Sequence, residues 1–484
     1  MGPQRVAHVW IVSALIVFFL TGTVIPKAFP LTTEEERNLG KQVFSEIEKS
    51  GALLNNLPLR SYVDGIGRSL LAEAGPTPFA FKFYVVNSQE PNAFAIPGGY
   101  VFVTTGLLVT AENEQEVAGV LSHEIAHVTM RHISQLIERS KRINLASMVA
   151  MIAGMLLAGG GKGGEAVAAT AMAAQQSLML KYTREHETDA DQNSLHYVTK
   201  AGYDPSGLLS FMKKISRYSM TAGPKVPTYL STHPAPDDRI ALMENLIQIE
   251  AKYSGPLKTT GDYRWVRTLA FAEEREPLAA MNHFESVVRS EPRDVVGFFG
   301  LGLACRKAGR LDKSIEAFQK ALSLAPREPD LLRELGMSYF LAGKLDPAIE
   351  CLESLLSLPP GEIWQKNDLQ TFYYLGRAYQ EKGEFSNALN YLQKVRKEVP
   401  DFVDVYHSLG SVYGRMGDKG QSHFYFGKYF RLRGDRNSAL LHFRTALEGL
   451  PQGSPEREEV QRELKELDPG KPPGKPSGKP SGKP

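Results

Sequence analysis

The chain has 484 residues, 42% of them hydrophobic and 23% charged, which is enough apolar material for two domains with appendages. Its net charge of +2 excludes the strongly basic surface that nucleic-acid-binding proteins normally carry. Its only two cysteines, Cys305 and Cys351, exclude a disulfide scaffold, and the sequence leaves open whether they pair.

The N-terminus predicts export. An uncharged apolar run over residues 9–25 follows Arg5, which is the order of a signal peptide. The run is also about as long as a membrane anchor. We therefore expect residues 1–30 to be a signal peptide or an N-terminal anchor, with a buried helix as the less favoured alternative.

Residues 31–255 are predicted to form one α+β domain. β-branched and aromatic residues indicate strands at 80–86 and 100–105, joined by a turn-rich connection at 92–99. Hydrophobic spacing and end signals predict helices over 32–75, 112–140 and 181–201, with Gly202 as a cap, and a last helical stretch that ends near 254.

An apolar segment over 143–180 interrupts this domain. It consists of two apolar halves around GGGKGG, each shorter than a membrane span. One interpretation is a hairpin that contacts the bilayer, and the other is an Ala-rich hairpin buried in the domain. The sequence favours neither.

The segment LSHEIAHVTMRH at 121–132 indicates a catalytic metal site. His123 and His127 are four residues apart and so lie on one face of a helix, where both imidazoles can bind one zinc ion. Glu124 then lies beside the metal, where a carboxylate can accept a proton from an activated water. His132 and His196 are expected to be structural.

A catalytic zinc site needs a third protein ligand. In TREHETDAD, Glu187 and Asp191 share one helix face, so Glu187 could bind zinc while Asp191 orients a ligand histidine. His186 and Glu185 are alternatives for the ligand. His233, in STHPAPDDR, is expected to face the zinc, either stabilising an oxyanion or occupying the open position in a resting enzyme, with Arg239 near it.

The second half, 260–467, contains a repeat. The pairs Leu-Gly recur at 301–302, 335–336, 375–376 and 409–410, followed by regularly spaced Phe, Leu, Ala and Pro residues. This pattern is the tetratricopeptide signature and predicts a stacked α-solenoid. A six-residue excess at 361–366 is placed in a loop between repeats. The basic Pro/Gly/Lys tail at 468–484 is predicted to be disordered because it has no large apolar residue.

The segment NAFAIPGGYVFVTTGLL (92–108), the HEIAH helix, the Glu187 and Asp191 pair and STHP followed by an arginine together resemble the HtpX-like and CAAX-prenyl-protease-like gluzincin metallopeptidases. The resemblance covers roughly residues 35–250. It implies a zincin-type α+β domain with a small sheet, one Zn²⁺ per chain, Glu187 as third ligand and His233 near the zinc. With the export signal and the repeats, it implies a periplasmic enzyme in outer-membrane protein quality control, with proteolytic and chaperone-like roles.

The expected function is therefore a zinc endopeptidase of misfolded or stalled polypeptides. The substrate is expected to pair with an edge strand over 99–105, and the repeats to bind substrate or an outer-membrane assembly machine on their concave face. The main alternative is a repeat-based chaperone or scaffold with an auxiliary or silenced zinc site. An integral-membrane prenyl-protein protease is disfavoured because several long apolar spans are missing.

Overall fold

The computed structural model describes residues 31–139, 184–221, 228–234, 237–250, 256–259, 262–358 and 368–468. The N-terminal signal or anchor, the apolar hairpin, the inter-repeat insertion at 361–366 and residues 469–484 of the tail lie outside these ranges. Within them, no helix is both long and apolar enough to cross a bilayer.

The first half consists of helices around a three-stranded sheet. Its elements in chain order are α1 (Thr33–Lys49), α2 (Leu57–Leu71), β1 (Lys82–Val86), β2 (Ala93–Ile96), β3 (Tyr100–Thr104), α3 (Thr105–Thr110), α4 (Glu114–Thr129), α5 (His132–Arg139), α6 (Arg184–Ala201), α7 (Gly207–Thr221), α8 (Thr228–Thr232) and α9 (Asp237–Glu250).

The sheet has the strand order β1-β3-β2, with β1 parallel and β2 antiparallel to β3. The predicted turn-rich connection at 92–99 is therefore wrong, because residues 93–96 form a strand that pairs with residues 100–103 of β3. The predicted edge strand over 99–105 is also wrong. Since β3 has a partner on both sides, it is the central strand, and only β1 and β2 can offer an edge.

The long helix predicted over 112–140 is two helices, α4 and α5. They are separated by Arg131, whose φ of 57° is left-handed. This conformation costs a non-glycine residue on the order of 1–2 kcal/mol. The Arg131 side chain stabilises the turn by donating from Nε to Glu36 Oε2 at 2.8 Å. The chain therefore reverses sharply just after the HEIAH motif, and α5 returns towards it.

Helix α4 is buried along most of its length and packs against the sheet, α2, α6 and α7. Glycines allow two of these elements to approach closely. A Cβ at Gly119 would lie 2.3 Å from the Leu208 backbone nitrogen, and one at Gly207 would lie 2.0 Å from the Gln115 carbonyl oxygen. The α4 helix that carries the motif is thus held rigidly against its neighbours.

The second half is an array of paired helices. They are α10 (Tyr263–Glu274), α11 (Pro277–Ser290), α12 (Val295–Lys307), α13 (Leu311–Leu324), α14 (Pro329–Leu341), α15 (Leu345–Leu356), α16 (Leu369–Lys382), α17 (Phe385–Glu398), α18 (Val403–Arg415), α19 (Lys419–Leu432), α20 (Arg436–Gly449) and α21 (Pro455–Leu467). Consecutive helices pack as antiparallel neighbours along the array. The predicted fold class, a small α+β domain followed by an α-solenoid, is confirmed.

The repeat glycines lie where the two helices of a pair come closest. A Cβ at Gly302 would be 2.6 Å from the Phe318 ring, and a Cβ at Gly336 or Gly376 would be 2.7 or 2.6 Å from a leucine Cγ of the paired helix. Only glycine permits this spacing. The glycines in the repeat pattern are therefore packing positions.

The two halves share one hydrophobic core. The apolar cluster that contains Val120 of α4 and Leu107 of α3 continues through Tyr263 of α10 to Phe299 and Leu335 of the array. Both cysteines are free thiols, and Cys305 is buried. The array is thus packed onto the first half as part of a continuous interior.

A second contact joins α2 to the array further along the chain, and we call it the Asp401 clasp (Arg60, Tyr84 and Asp401). Arg60 Nη2 donates to both carboxylate oxygens of Asp401 at 2.9 Å, and the Tyr84 hydroxyl donates to Oδ2 at 2.5 Å. The Arg60 guanidinium also lies over the Tyr84 ring, 4.5 Å from its centroid. Beside the clasp, Leu57 packs in one cluster with Leu369 of α16.

Candidate metal centre

The metal centre is assembled from two helices and the turn that follows a third. Helix α4 supplies His123 and His127, whose Nε2 atoms are 3.0 Å apart. Helix α6 supplies Glu187, and His233 follows directly after α8. One ligand atom from each of these four residues lies within 4.8 Å of the other three, and all four are buried.

The distances between these atoms suit a shared cation. Glu187 Oε2 lies 3.5 Å from His123 Nε2, and Oε1 lies 3.5 Å from His127 Nε2. His233 Nδ1 lies 3.0 Å from Glu187 Oε1 and 3.3 Å from His123 Nε2. Imidazole nitrogens with one carboxylate are the donor set of a catalytic zinc site. The residues present therefore fit a zinc ion.

Charged groups outside the four ligand candidates support them. Asp191 Oδ1 lies 3.0 Å from His123 Nδ1, the contact that the predicted orienting role requires. Arg239 binds Asp191 with two hydrogen bonds, of 2.6 and 2.8 Å, and its Nη1 also pairs with Glu187 Oε2. One buried arginine thus holds both buried carboxylates of α6, those of Glu187 and Asp191.

The surroundings of the two motif histidines shift their pKa values in opposite directions. Burial lowers the pKa of His127 well below its usual range, and the nearby charge of His123 lowers it further, so the ring is neutral. Burial also lowers the pKa of His123, but hydrogen bonds to Asp191 and Glu187 outweigh it and raise the pKa to about 9. A proton held there would compete with a metal ion for the ring nitrogen.

The two buried acidic residues of α6, Glu187 and Asp191, are ionised. Burial would raise the pKa of Glu187, but His233, His123 and Arg239 hold it well below its usual value. Burial likewise opposes ionisation of Asp191, and the Arg239 hydrogen bonds lower the pKa of this carboxyl. Both side chains are therefore carboxylates at neutral pH.

Glu124 differs from Glu187 and Asp191 in its contacts and in the direction of its pKa shift. It is fully buried, and neither carboxylate oxygen has a hydrogen-bond partner among the described residues. His233 Nε2 lies 3.4 Å from Oε1, without hydrogen-bond geometry. Burial raises the pKa of Glu124. An unsatisfied buried carboxyl is costly, which points to a group that accepts its proton or hydrogen bond during function.

The structure separates Glu187 from its alternatives for the third ligand. Glu185 is exposed, and the His186 ring turns away to Gln135 Oε1, 3.2 Å from its Nε2. His196 is exposed on the same helix. Of the carboxylates and histidines in TREHETDAD, Glu187 is the one that joins the cluster.

Sequence reasoning missed one contact at this centre. His132, which was expected to be only structural, lies with Nδ1 3.0 Å from Nδ1 of His127. The two residues are five apart, which is not a helical spacing for one face. The left-handed turn at Arg131 brings them together, and no sequence pattern indicated that turn.

Residues 59–247 match Peptidase family M48, and residues 295–328 and 370–401 match tetratricopeptide repeats. The family match contains all four ligand candidates, Glu124, Asp191 and Arg239. The predicted combination of a metallopeptidase domain and C-terminal tetratricopeptide repeats is confirmed.

The chain is also similar to named bacterial and mitochondrial proteases. The chain is 32% identical over 217 residues to the β-barrel assembly-enhancing protease of Yersinia pestis, with 44% of each chain covered. It is 27% identical over 309 residues to the Escherichia coli protein of that name, covering 61% of each. It is also 27% identical over 260 residues to the mitochondrial metalloendopeptidase OMA1 of Schizosaccharomyces pombe, covering 50% of this chain and 73% of the relative. The chain thus spans about half of the bacterial relatives' length.

Proposed function

We propose that this protein is a zinc-dependent endopeptidase in which His123, His127 and Glu187 hold the metal. The observation that carries the proposal is the convergence of these three donors next to Glu124, a buried carboxyl without a hydrogen-bond partner among the described residues. A structural zinc site is normally closed by four protein ligands and needs no such acid. The M48 match supports the same assignment.

The chain's own residues divide the reaction between them. When bound, zinc supplies Lewis-acid chemistry, which acidifies a water molecule and polarises the scissile carbonyl. Glu124 accepts the proton of the attacking water at a carboxylate oxygen and passes it to the leaving amine. Its raised pKa suits it to hold that proton between the two steps. Asp191 and Arg239 keep His123 and Glu187 in place.

His233 has two possible roles in this mechanism. Its Nδ1 lies among the ligand atoms and its Nε2 near Glu124. Through Nδ1 it would occupy the fourth position of a resting enzyme, and after a shift of its turn it would donate to the oxyanion. The contacts with Glu187 and His123 favour the resting arrangement as the state described.

The substrate would lie along β2. An extended polypeptide needs an unpaired strand edge, and β2 is an edge strand that packs against α4. In the antiparallel register the backbone groups of Ala93 and Ala95 point away from β3. The outer edge of β1, by contrast, is partly covered, since Leu54 N donates to Val85 O and Asn87 N donates to Ala52 O.

The substrates we propose are misfolded or stalled polypeptides of the bacterial envelope. The apolar run at 9–25 supports export to the periplasm, with residues 1–30 as signal or anchor. We assign the peptidase domain to 31–255, the repeats to 260–467 and the tail to 468–484. Partners in outer-membrane protein assembly are suggested by the names of the bacterial relatives. Peripheral membrane contact through 143–180 is part of the same proposal.

We expect partners on the concave face to share the repeats' surface with the peptidase domain. Leu57 of α2 packs against the first helix of a repeat pair, α16, and Asn56 Nδ2 donates to Glu273 of α10 at 2.8 Å. The peptidase domain thus occupies part of the surface on which the first helices of the pairs lie. Partners would bind the remaining surface of the array.

The decisive experiment is Glu124→Gln with casein as the unfolded substrate. We expect the variant to retain one zinc per chain by elemental analysis and to lose casein cleavage by at least about 100-fold, the lower range of a general-base contribution. Glu112→Gln, which neutralises an exposed carboxylate just before the same helix, should cleave normally. Undiminished cleavage by Glu124→Gln would refute the assignment.

The scaffold alternative is tested in cells that lack the gene. If proteolysis is the function, Glu124→Gln should not restore growth under envelope stress, whereas Glu112→Gln should. Full rescue by Glu124→Gln would favour the repeat scaffold. Deletion of the repeats is not a clean comparison because the two halves share their core.

A further inference from the structure

The Nδ1 atoms of the two motif histidines, His123 and His127, face different chemical groups. His123 Nδ1 faces the carboxylate of Asp191, whereas His127 Nδ1 faces another imidazole, that of His132. The His127 and His132 rings are both buried, and their Nδ1 atoms are 3.0 Å apart. At this distance one nitrogen must donate and the other must accept.

The metal centre fixes which nitrogen donates. His127 directs Nε2 towards His123 and Glu187, so a ligand role requires the lone pair on Nε2 and the proton on Nδ1. His127 Nδ1 is then the donor, and His132 Nδ1 accepts with its own proton on Nε2.

Neighbouring elements hold His132 in this position. The left-handed turn at Arg131 ends α4 and starts α5 at His132, and Glu36 anchors the turn through the Arg131 side chain. The His132 ring stacks on His186 of α6, with centroids 4.5 Å apart and planes 17° apart. His186 is itself bonded to Gln135. The acceptor is therefore placed by three elements of the fold.

We propose that His132 is a positioning residue that fixes the tautomer and the ring orientation of His127 in the metal centre. The inference rests on the proposed function, since it needs His127 to be a ligand. A hydrogen bond to the remote nitrogen orients a ligand histidine and strengthens its binding to metal. Here the acceptor is an imidazole nitrogen, so it orients His127 without adding a second carboxylate to the one that Asp191 already supplies.

The test compares His132→Leu with His132→Asn. The Asn amide oxygen can occupy the place of the Nδ1 acceptor, whereas Leu has a similar branch without an acceptor. Zinc affinity is measured by competition with a chromogenic chelator. We expect the affinity of His132→Leu to fall 10- to 100-fold and that of His132→Asn to stay within about threefold of the parent.

A spectroscopic measurement separates ligand geometry from general destabilisation. In the Co²⁺-loaded proteins, the visible d–d absorption should change in His132→Leu and stay close to the parent in His132→Asn. His196→Leu removes an exposed imidazole on α6, so its zinc affinity and cobalt spectrum should match the parent's. If His132→Leu does not fold, His132→Phe replaces it, because Phe also lacks an acceptor.

The outcomes distinguish this inference from the proposed function. Parental affinity in a folded His132→Leu or His132→Phe, or a tenfold loss in His132→Asn, would overturn the positioning role and leave the metal centre intact. A parent protein that binds no zinc would remove the metal centre and this inference with it.

Discussion

Asp191 has two partners at the metal centre, and both of them depend on its charge. It accepts two hydrogen bonds from Arg239 and lies 3.0 Å from His123 Nδ1. Asp191 and Arg239 are both almost completely buried. Loss of this carboxylate would leave an arginine charge inside the protein without its main partner, which is among the most costly changes that a core can undergo.

We therefore expect Asp191→Asn to lower the free energy of unfolding by about 3–5 kcal/mol, the usual cost of breaking a buried ion pair. Urea unfolding in the presence of EDTA measures this without a contribution from metal. Asp189→Asn provides a control on the same helix, since Asp189 is exposed and should change the stability by less than about 0.5 kcal/mol. Equal stability of the two variants would contradict the role of Asp191.

At the residue scale, helical spacing was sufficient to find most of the centre. His123 and His127 are four apart, as are Glu187 and Asp191, and both pairs lie on one helix face as the spacing predicts. The choice between Glu187, Glu185 and His186 depended on how α6 is rotated against α4. Packing fixes that rotation, and local sequence does not contain it.

Strand β2 shows what pairing adds to a sequence pattern. The strand is only four residues long. It lies between the segments NSQEPN and PGG, whose residue types are typical of a connection. Its residues form a strand because β3 offers an antiparallel partner over residues 100–103. The helix break at Arg131 was missed for a similar reason, because the side-chain contact with Glu36 that stabilises the turn comes from a distant element.

Helix α2 offers a matched pair of glycines for testing close packing. A Cβ at Gly67 would lie 2.3 Å from the ring of Phe83, a buried residue of β1, whereas a Cβ at Gly65 would meet nothing within 4 Å. Gly67→Ala should therefore destabilise the protein by about 1–3 kcal/mol through overpacking. Gly65→Ala should stabilise it by about 0.4–1 kcal/mol, because alanine is the better helix former.

Chemical denaturation of the two variants measures the difference. Since the substitution and the helix are the same, any general effect of alanine on α2 is present in both. A Gly67→Ala variant as stable as Gly65→Ala would mean that α2 and β1 are not packed as closely as described.

On the scale of the whole molecule, the Asp401 clasp should contribute a pH-dependent stability. Burial would raise the pKa of Asp401, but the charge and hydrogen bonds of Arg60 and the bond from Tyr84 lower it below its ordinary value. A carboxyl whose pKa is lower in the folded state stabilises that state above the unfolded pKa, about 3.9 for Asp. The contribution declines as the pH falls below that value.

Asp401→Asn should thus cost about 1–3 kcal/mol at pH 7, the range for hydrogen bonds to a charged group. The difference from the parent should persist down to about pH 5 and shrink below pH 4. Urea midpoints across this range measure it. Asp346→Asn, which removes an exposed ion pair with Lys382, should cost less than about 1 kcal/mol at every pH. A pH-independent effect of Asp401→Asn would contradict the charged clasp.

The shared core also predicts how the domains behave when separated. A chain that ends at residue 255 would lack Tyr263, whose ring packs near that of Tyr62 and whose hydroxyl donates to Leu108 O at 2.5 Å. We expect this fragment to aggregate or to show no sharp thermal transition, unlike the full chain. A soluble fragment with a cooperative transition would show that the interior of the first half is complete without the repeats.

Sequence analysis predicted the peptidase domain and the repeat array separately. It did not predict that they share one hydrophobic core. Repeat and domain patterns describe which residues are apolar, but they do not say which apolar surfaces of different units meet. The packing of α10 between the peptidase helices and α12 depends on surface shape over the whole chain.

This continuous interior makes the molecule a thermodynamically linked system. If the peptidase half and the repeats unfold in one transition, zinc bound at His123 and His127 raises the melting temperature of the array as well as that of its own domain. Reciprocity requires that, if bound zinc changes the affinity of the array for a partner, that partner changes the affinity for zinc by the same factor.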